Sequence, residues 1–220
     1  MDGTTVTADS PAYPARLRAL LGADAPARVC LAGPPALLAG RSLSLFCSVR
    51  CPGAMILQTY ECMRRLRLRD VSVLSGYHAP MERECLRTLA SGRAGIVWCL
   101  AKSLASFRLP AEWEPLLHEG RLLLLSPFAD DVTRITAATS QYRNRVAAAL
   151  VDDVFLPYAA PGGRTEAFCF DLLAWEKTVF TLDAAENTGI LERGARALTM
   201  SELDSFWPAT DDAPLPGGLL

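Results

Sequence analysis

The sequence predicts an α/β fold in which a mostly parallel β-sheet is sandwiched by helices. Two observations lead to this prediction. Six short, continuously apolar runs recur along the chain, and helix-like stretches of ten or more residues separate them. Strands buried on both faces have this apolar character, and their alternation with helices is typical of parallel sheets. The chain has 220 residues, which is enough to bury one such core.

The six predicted strands are short and contain few charged side chains. They are residues 43–49, 71–75, 95–100, 121–126, 154–158 and 178–182. The predicted helices lie within residues 51–70, 79–92, 109–120, 136–153 and 162–177. Apolar positions recur in these stretches at helical spacing, and several of them begin after Pro, Gly or Thr.

The two ends of the chain differ from this pattern. Residues 1–40 are predicted to form a small helical lead-in, because PAYPARLRALLG has the pattern of a short amphipathic helix. Residues 41–200 form the predicted main domain. Residues 201–220 are predicted to form a short helix and a frayed tail, since DDAPLPGGLL is rich in Pro and Gly.

Composition excludes several classes of protein. The formal charge is −2, so a broad cationic surface is excluded and any nucleic-acid contact must depend on a local patch. No apolar run reaches the roughly 18 residues of a membrane span, and no signal peptide is recognised, so we expect a cytoplasmic protein without membrane contact. The seven cysteines include no C-x-x-C pair and there are two histidines, which predicts reduced thiols, no metal site and no cofactor.

Three loops that follow predicted strands suggest an anion-binding site. They are CSVRCPG at 47–53, LSGYHAP at 74–80 and APGGRTEA at 160–167, and each combines glycine or hydroxyl residues with the start of a helix. Parallel sheets bind ligands at the carboxyl ends of their strands, where backbone N–H groups and helix N-termini favour phosphate. A tight turn explains any one of these loops, but three in one sheet favour a phosphate-bearing ligand. None matches the dinucleotide fingerprint or the ATPase P-loop.

Four arginines are candidate clamps for such an anion, because guanidinium groups bind phosphate bidentately: Arg50, Arg143, Arg145 and Arg164. Arg143 and Arg145 are two residues apart on a predicted helix and therefore occupy different faces. At least one of them is expected to point inward. The arginine-rich run at 64–70 is interpreted as a solvated helix end, with a polyanion-binding patch as the alternative.

The order of motifs resembles the DNA-processing protein A (DprA/Smf) family. The motifs are YPARL at 13–17, CSVR at 47–50, LSG at 74–76, LLSPF at 124–128, YRNRVAAAL at 142–150, the glycine turn at 162–163 and ENTGILERGARAL at 186–198. Arg-Asn-Arg is the most specific of them. The sequence departs from the family where Cys47 and Val49 alter Gly-Ser-Arg, and where YHAPMERE brings the acids Glu82 and Glu84 toward the pocket.

This resemblance implies an extended Rossmann-like domain, often dimeric, whose positively charged pocket takes single-stranded DNA and passes it to a recombinase. The implied ligand-binding residues are Arg50, Ser75, Gly76, Arg143, Asn144, Arg145, Gly162 and Gly163. Arg164 and Thr165, beside the glycine turn, complete the predicted set. The ligand is expected to be single-stranded DNA or a nucleotide, bound without catalysis.

Two alternatives remain at this point. The stretch APGGRTEA is similar to the glycine motif of the LOG family of nucleotide phosphoribohydrolases, and there Glu166 would be the catalytic carboxylate. The second alternative is a sensor domain that has kept the fold and lost its ligand. Cys47, Pro127 and the near-neutral charge motivate it.

Overall fold

The computed structural model describes residues 3–208, and its strands form a nine-stranded sheet. The strands are β1 (Thr4–Thr7), β2 (Arg28–Ala32), β3 (Ser42–Leu45), β4 (Ser72–Ser75), β5 (Gly95–Cys99), β6 (Leu122–Ser126), β7 (Asp153–Leu156), β8 (Thr178–Thr181) and β9 (Arg196–Ala197). The helices are α1 (Ala15–Leu21), α2 (Gly53–Leu66), α3 (Pro80–Ala90), α4 (Glu114–His118), α5 (Ala137–Ala149), α6 (Arg164–Ala174), α7 (Thr188–Leu191) and α8 (Met200–Phe206).

The strand order places a switch point at the centre of the sheet. The order is β1-β2-β6-β5-β4-β3-β7-β8-β9. The seven strands that follow β2 in this order are all parallel to one another. From β3 the chain builds outward through β4, β5 and β6, and it then returns to the other side of β3 to form β7 and β8. The loops that follow β3 and β7 therefore diverge, which opens a crevice at their carboxyl ends.

The predicted α/β fold is confirmed, and all six predicted strands are present. The N-terminal segment is more than the helical lead-in expected for residues 1–40. It contains α1, but β1 and β2 also add to the sheet as antiparallel strands. Strand β1 was missed because TTVT has a single buried residue, Val6, and lacks the apolar run by which the six predicted strands were recognised. Strand β2 was also missed, although four of its five residues are buried. Residues 209–220, most of the predicted tail, lie outside the described residues.

Two hydrophobic clusters fill the space between the sheet and its helices, one on each face. Helix α5 belongs to one of them and packs directly on the strands. Its residues Val146, Ala147 and Ala148 have no exposed surface. The hydroxyl of Ser44 on β3 donates to the Ala147 carbonyl oxygen at 2.9 Å. The small side chains of this helix therefore set the distance at which its arginines stand from the sheet.

The arginine-rich run at 64–70 anchors helix α8. Arg65 Nη1 lies 2.8 Å from Asp204 Oδ2, and Arg69 Nη2 lies 2.6 Å from Asp204 Oδ1. Arg67 Nη1 donates to the Ser91 carbonyl oxygen at 3.0 Å. These contacts tie α2 to α8 and to the loop after α3. Arg65, Arg67 and Arg69 therefore serve packing and do not form the solvated helix end that was expected, whereas Arg64 is exposed.

Replacing Asp204 with alanine is expected to lower the free energy of unfolding by about 1 kcal/mol, because two partly exposed ion pairs are lost together. Chemical denaturation measures the change. Glu61→Ala is the matched control, since it removes one longer pair with Arg65 at 3.5 Å and is expected to cost about 0.3 to 0.5 kcal/mol. Equal effects of the two substitutions would contradict the anchoring role of Asp204.

Candidate functional site

A cleft of about 960 Å³ lies at the carboxyl edge of the sheet, beside the switch point. Its walls are the N-terminal part of α5, the start of α6, and the loops that follow β3 and β4. We call it the α5–α6 cleft. It brings together five of the predicted residues: Arg143, Asn144, Arg145, Arg164 and Thr165.

Helix α5 carries three of these residues, and its start is well defined. Thr136 caps the helix, because its hydroxyl accepts a hydrogen bond from the Thr139 N–H at 3.1 Å. The helix then runs from the rim of the cleft toward the packed segment at 146–149. Arg143 and Arg145 lie on different faces of α5, as expected from their spacing, and Arg143 is the one that points inward.

Arg143 forms the floor of the cleft. Its side chain is buried, with the residue only 4% exposed. Nη1 donates to the Cys99 carbonyl oxygen at 2.9 Å, and Nε donates to Asn144 Oδ1 at 2.7 Å. Burial lowers the pKa of Arg143, while the nearby carboxylate of Glu82 acts in the opposite direction. Arginine stays protonated in proteins, so these contacts hold a fixed positive charge at this point.

The loop after β4 supports that guanidinium group. A Cβ atom on Gly76 would stand 1.6 Å from Arg143 Nη1 and 1.9 Å from Cζ, so only glycine fits there. Ser75 is fully buried, and its hydroxyl accepts a hydrogen bond from the Tyr77 N–H at 3.2 Å. Ser75 and Gly76, predicted as ligand-binding residues, therefore shape the loop and hold Arg143, and neither lines the α5–α6 cleft.

Arg145 and Arg164 lie on the walls. Arg145 stands 3.3 Å from Asp24 in an ion pair, and its guanidinium carbon lies 5.4 Å from the centre of the Trp175 ring. Its side chain keeps 39% of its surface exposed. Arg164 is the first residue of α6 and is exposed, and its side chain makes no hydrogen bond or ion pair with any residue of the described range 3–208. Both guanidinium groups are accessible to a ligand.

The backbone N–H groups expected to bind phosphate are occupied by the protein itself. Glu82 is buried, and its carboxylate accepts hydrogen bonds from the N–H groups of Cys47 (3.2 Å), His78 (2.9 Å) and Ala79 (3.3 Å). This carboxylate joins the loops after β3 and β4 and caps α3. These three amides therefore already have an acceptor within the protein, and the Glu82 carboxylate occupies the place that an anion would take.

The glycine turn after β7 is closed in the same way. The Gly162 N–H donates to Glu166 Oε2 at 2.8 Å. Gly162 has a φ of 68°, in the left-handed region, and a Cβ on Gly163 would stand 2.8 Å from the Ala160 carbonyl oxygen. The two glycines are required by the turn and do not line the cleft. Glu166 does not line the cleft either. Its carboxylate, which the hydrolase alternative needs for catalysis, instead caps the start of α6.

Arg50 is the remaining predicted residue, and it lies in a different cleft. This second cleft has a volume of about 720 Å³ and is formed by the N-terminal parts of α2 and α3. We call it the α2–α3 cleft. Val49 lines both clefts and is exposed on the loop between them. The structure thus divides the predicted arginines between two neighbouring depressions.

The α5–α6 cleft has a small positive excess. The charged residues of its lining are three arginines and two acids, the acids being Glu82 and Asp171. Sequence reasoning missed the part that Glu82 plays, although an acid three residues after the cap position of a helix is a known N-terminal signal. Ile135, exposed at the rim, was also missed, because nothing in its local sequence distinguishes it.

Within residues 3–208, no group of three or more His, Cys, Asp or Glu side chains is arranged to hold a metal ion. None of the helices described for that range is long and apolar enough to cross a membrane.

Comparison with known proteins establishes the fold. No protein-family model matches the chain, and no curated protein matches its sequence. Among solved structures, DNA processing protein A from Streptococcus pneumoniae is similar with a TM-score of 0.75 at 15% identity, over 93% of this chain and 74% of that chain. DNA processing protein A from Helicobacter pylori, a structure concerned with single-stranded DNA binding, gives 0.72 at 18% identity, over 93% and 95% of the two chains.

A third solved structure is more distant. The molybdenum cofactor carrier protein of Chlamydomonas reinhardtii has a TM-score of 0.51 at 12% identity, over 76% of this chain and 98% of that chain. The higher similarity to the two DNA processing proteins confirms, at the level of the fold, the resemblance predicted from the order of motifs.

Proposed function

We propose that this protein is a DNA-processing protein that binds single-stranded DNA in the α5–α6 cleft, without catalysis. The observation that carries the proposal is the buried guanidinium of Arg143, held on the cleft floor by Cys99 and by the close approach of Gly76. Burying an arginine in this manner is costly and contributes little to stability, so a ligand-binding role accounts for it better than packing does. The fold is shared with a DNA processing protein whose structure concerns single-stranded DNA.

The walls of the cleft suit the two parts of a nucleotide strand. Arg145 and Arg164 present guanidinium groups, which bind phosphate in a forked geometry. Apolar and aromatic side chains line the same cleft, among them Phe168, Tyr142 and the exposed Ile135. Unpaired bases pack on such surfaces, whereas the bases of a duplex are already stacked and paired.

A hydrolase is a weaker candidate for this site. The chemistry of glycosidic cleavage needs a carboxylate beside the bound sugar. Glu166 caps the turn at Gly162, and Glu82 accepts three backbone hydrogen bonds. Neither of these two carboxylates is free for that task. Asp171, the other acid of the cleft, is exposed and lies outside the glycine motif that suggested a hydrolase, so we favour binding over catalysis.

The double variant Arg145→Ala with Arg164→Ala tests the proposal. We expect about a tenfold loss of affinity for a single-stranded oligothymidylate at low salt. The slope of log K against log salt should also fall by about 1.4, since each lost phosphate contact on a single strand contributes about 0.7. Fluorescence anisotropy of a labelled oligonucleotide, repeated over a range of salt concentrations, measures both quantities.

The matched control is Arg64→Ala with Arg193→Ala, which removes the same charge from two exposed arginines outside both clefts. The control should keep most of the affinity and of the slope. Equal losses in the two double variants would show that the oligonucleotide responds to net charge, and the proposed site would be wrong.

A further inference from the structure

We propose that the α2–α3 cleft is a second subsite for the same unpaired strand, which leaves the α5–α6 cleft across Val49. This inference rests on the proposed function. It assigns a ligand class, the sugar-phosphate backbone of a continuing strand, to a cleft of about 720 Å³ that the first site does not use.

The α2–α3 cleft has a larger excess of accessible positive charge than the α5–α6 cleft. Its charged lining residues are three arginines, Arg50, Arg83 and Arg87, and one acid, Glu84. All three arginines are exposed. An excess of two positive charges in one depression stands out in a chain whose formal charge is −2. Such a local excess attracts a polyanion even when the whole protein is slightly acidic.

The partners of these arginines leave some of their guanidinium N–H groups available for phosphate. Arg50 makes no hydrogen bond or ion pair with another residue of the described chain. Arg83 donates through Nε and Nη2 to the His78 carbonyl oxygen, at 3.1 and 3.0 Å, so its Nη1 is still available. Arg87 pairs with Glu84, whose other oxygen accepts a hydrogen bond from the Tyr60 hydroxyl at 3.0 Å.

The start of α2 adds to this field. The helix has 14 residues, begins after Pro52 without a side-chain cap, and has no acid in its first turn. Its first N–H groups therefore remain unsatisfied by side chains at the edge of the cleft, where the helix dipole favours an anion. The start of α3 differs, because Glu82 already caps it.

The position of Val49 indicates a strand in preference to a free nucleotide. Val49 lines both clefts, is 68% exposed, and is followed directly by Arg50. The loop after β3 thus separates the two clefts. It presents the apolar side chain of Val49 between them and the positive charge of Arg50 to the α2–α3 cleft. A mononucleotide fills one cleft, whereas a polymer that crosses this loop engages the arginines of both.

The test compares two lengths of oligothymidylate, about 5 and about 15 nucleotides, because single-strand sites on proteins span this range. In the double variant Arg83→Ala with Arg87→Ala, the affinity for the short oligonucleotide should stay within about twofold of the wild-type value. The affinity for the long one should fall about tenfold, with a smaller salt slope. The double variant Arg145→Ala with Arg164→Ala should weaken both lengths.

The outcomes separate this inference from the proposed function. If the wild-type protein binds neither oligonucleotide, the proposed function fails. The second subsite is refuted if the wild-type protein binds both oligonucleotides and the Arg83 and Arg87 variant keeps its full affinity for the long one. It is also refuted if this variant loses affinity equally for the two lengths. Arg50→Ala provides a check that does not disturb folding, because Arg50 is exposed, and it should produce a smaller loss of the same length-dependent kind.

Discussion

Replacing Gly76 with alanine is expected to lower the free energy of unfolding by about 3 kcal/mol. The new Cβ would stand 1.6 Å from Arg143 Nη1 and 2.2 Å from Nη2, so the guanidinium group has to move. Its hydrogen bond to the Cys99 carbonyl oxygen is then lost, and a buried charge remains without its partner. Chemical denaturation measures the stability change, and oligonucleotide binding should weaken in the same variant.

A double-mutant cycle shows whether Arg143 is the cause. Arg143→Ala removes the atoms that clash, so adding Gly76→Ala to that variant should cost much less than in the wild type. Gly53→Ala is the matched control, because a Cβ there meets nothing within 4 Å and the position begins a helix. Additive effects of the Gly76 and Arg143 substitutions would contradict the packing described for this loop.

Replacing Glu82 with alanine should destabilise the protein by about 3 to 5 kcal/mol. Its carboxylate accepts hydrogen bonds from the loops after β3 and β4, including one from Ala79 at the N-cap of α3. Removing it leaves these N–H groups without an acceptor, and it also removes the negative charge that favours the protonated form of Arg143. Denaturation with urea measures the loss.

Glu84 on the same helix provides the control. Its partners are the half-buried Tyr60 and the exposed Arg87, so Glu84→Ala should cost less than about 1 kcal/mol. Glu82→Gln should be intermediate, because an amide retains one acceptor oxygen and the size of the side chain. If Glu82→Ala costs no more than Glu84→Ala, the carboxylate does not hold the loops together.

The sheet could be predicted from the sequence because its central strands are buried on both faces. That environment requires continuous apolar runs, such as those of β4 and β6. The edge strands lack this signal. Strand β1 buries one residue, and β9 has only two residues. Neither strand therefore has an apolar run long enough to be recognised in the sequence. These two strands form because they pair with β2 and β8, and their own amino-acid composition contributes less.

The site was predictable only in part. The spacing of Arg143 and Arg145 on one helix required that they occupy different faces, and one of them is buried. The use of the loop amides was not predictable in this way. Glu82 accepts a hydrogen bond from the N–H of Cys47, which is 35 residues away in sequence. That this N–H has a partner within the protein follows only from the pairing of β3 with β4. The division of the arginines by Val49 depends on the same arrangement.

Binding of a labelled single-stranded oligothymidylate to the wild-type protein, measured from about 50 to 200 mM salt, tests the central claim most directly. The proposed function predicts binding at low ionic strength and a linear fall of log K with log salt, because phosphate contacts release counterions. An unlabelled duplex of the same length should compete weakly. A slope near zero, or no binding at the lowest salt concentration, would contradict the proposal that this protein binds single-stranded DNA.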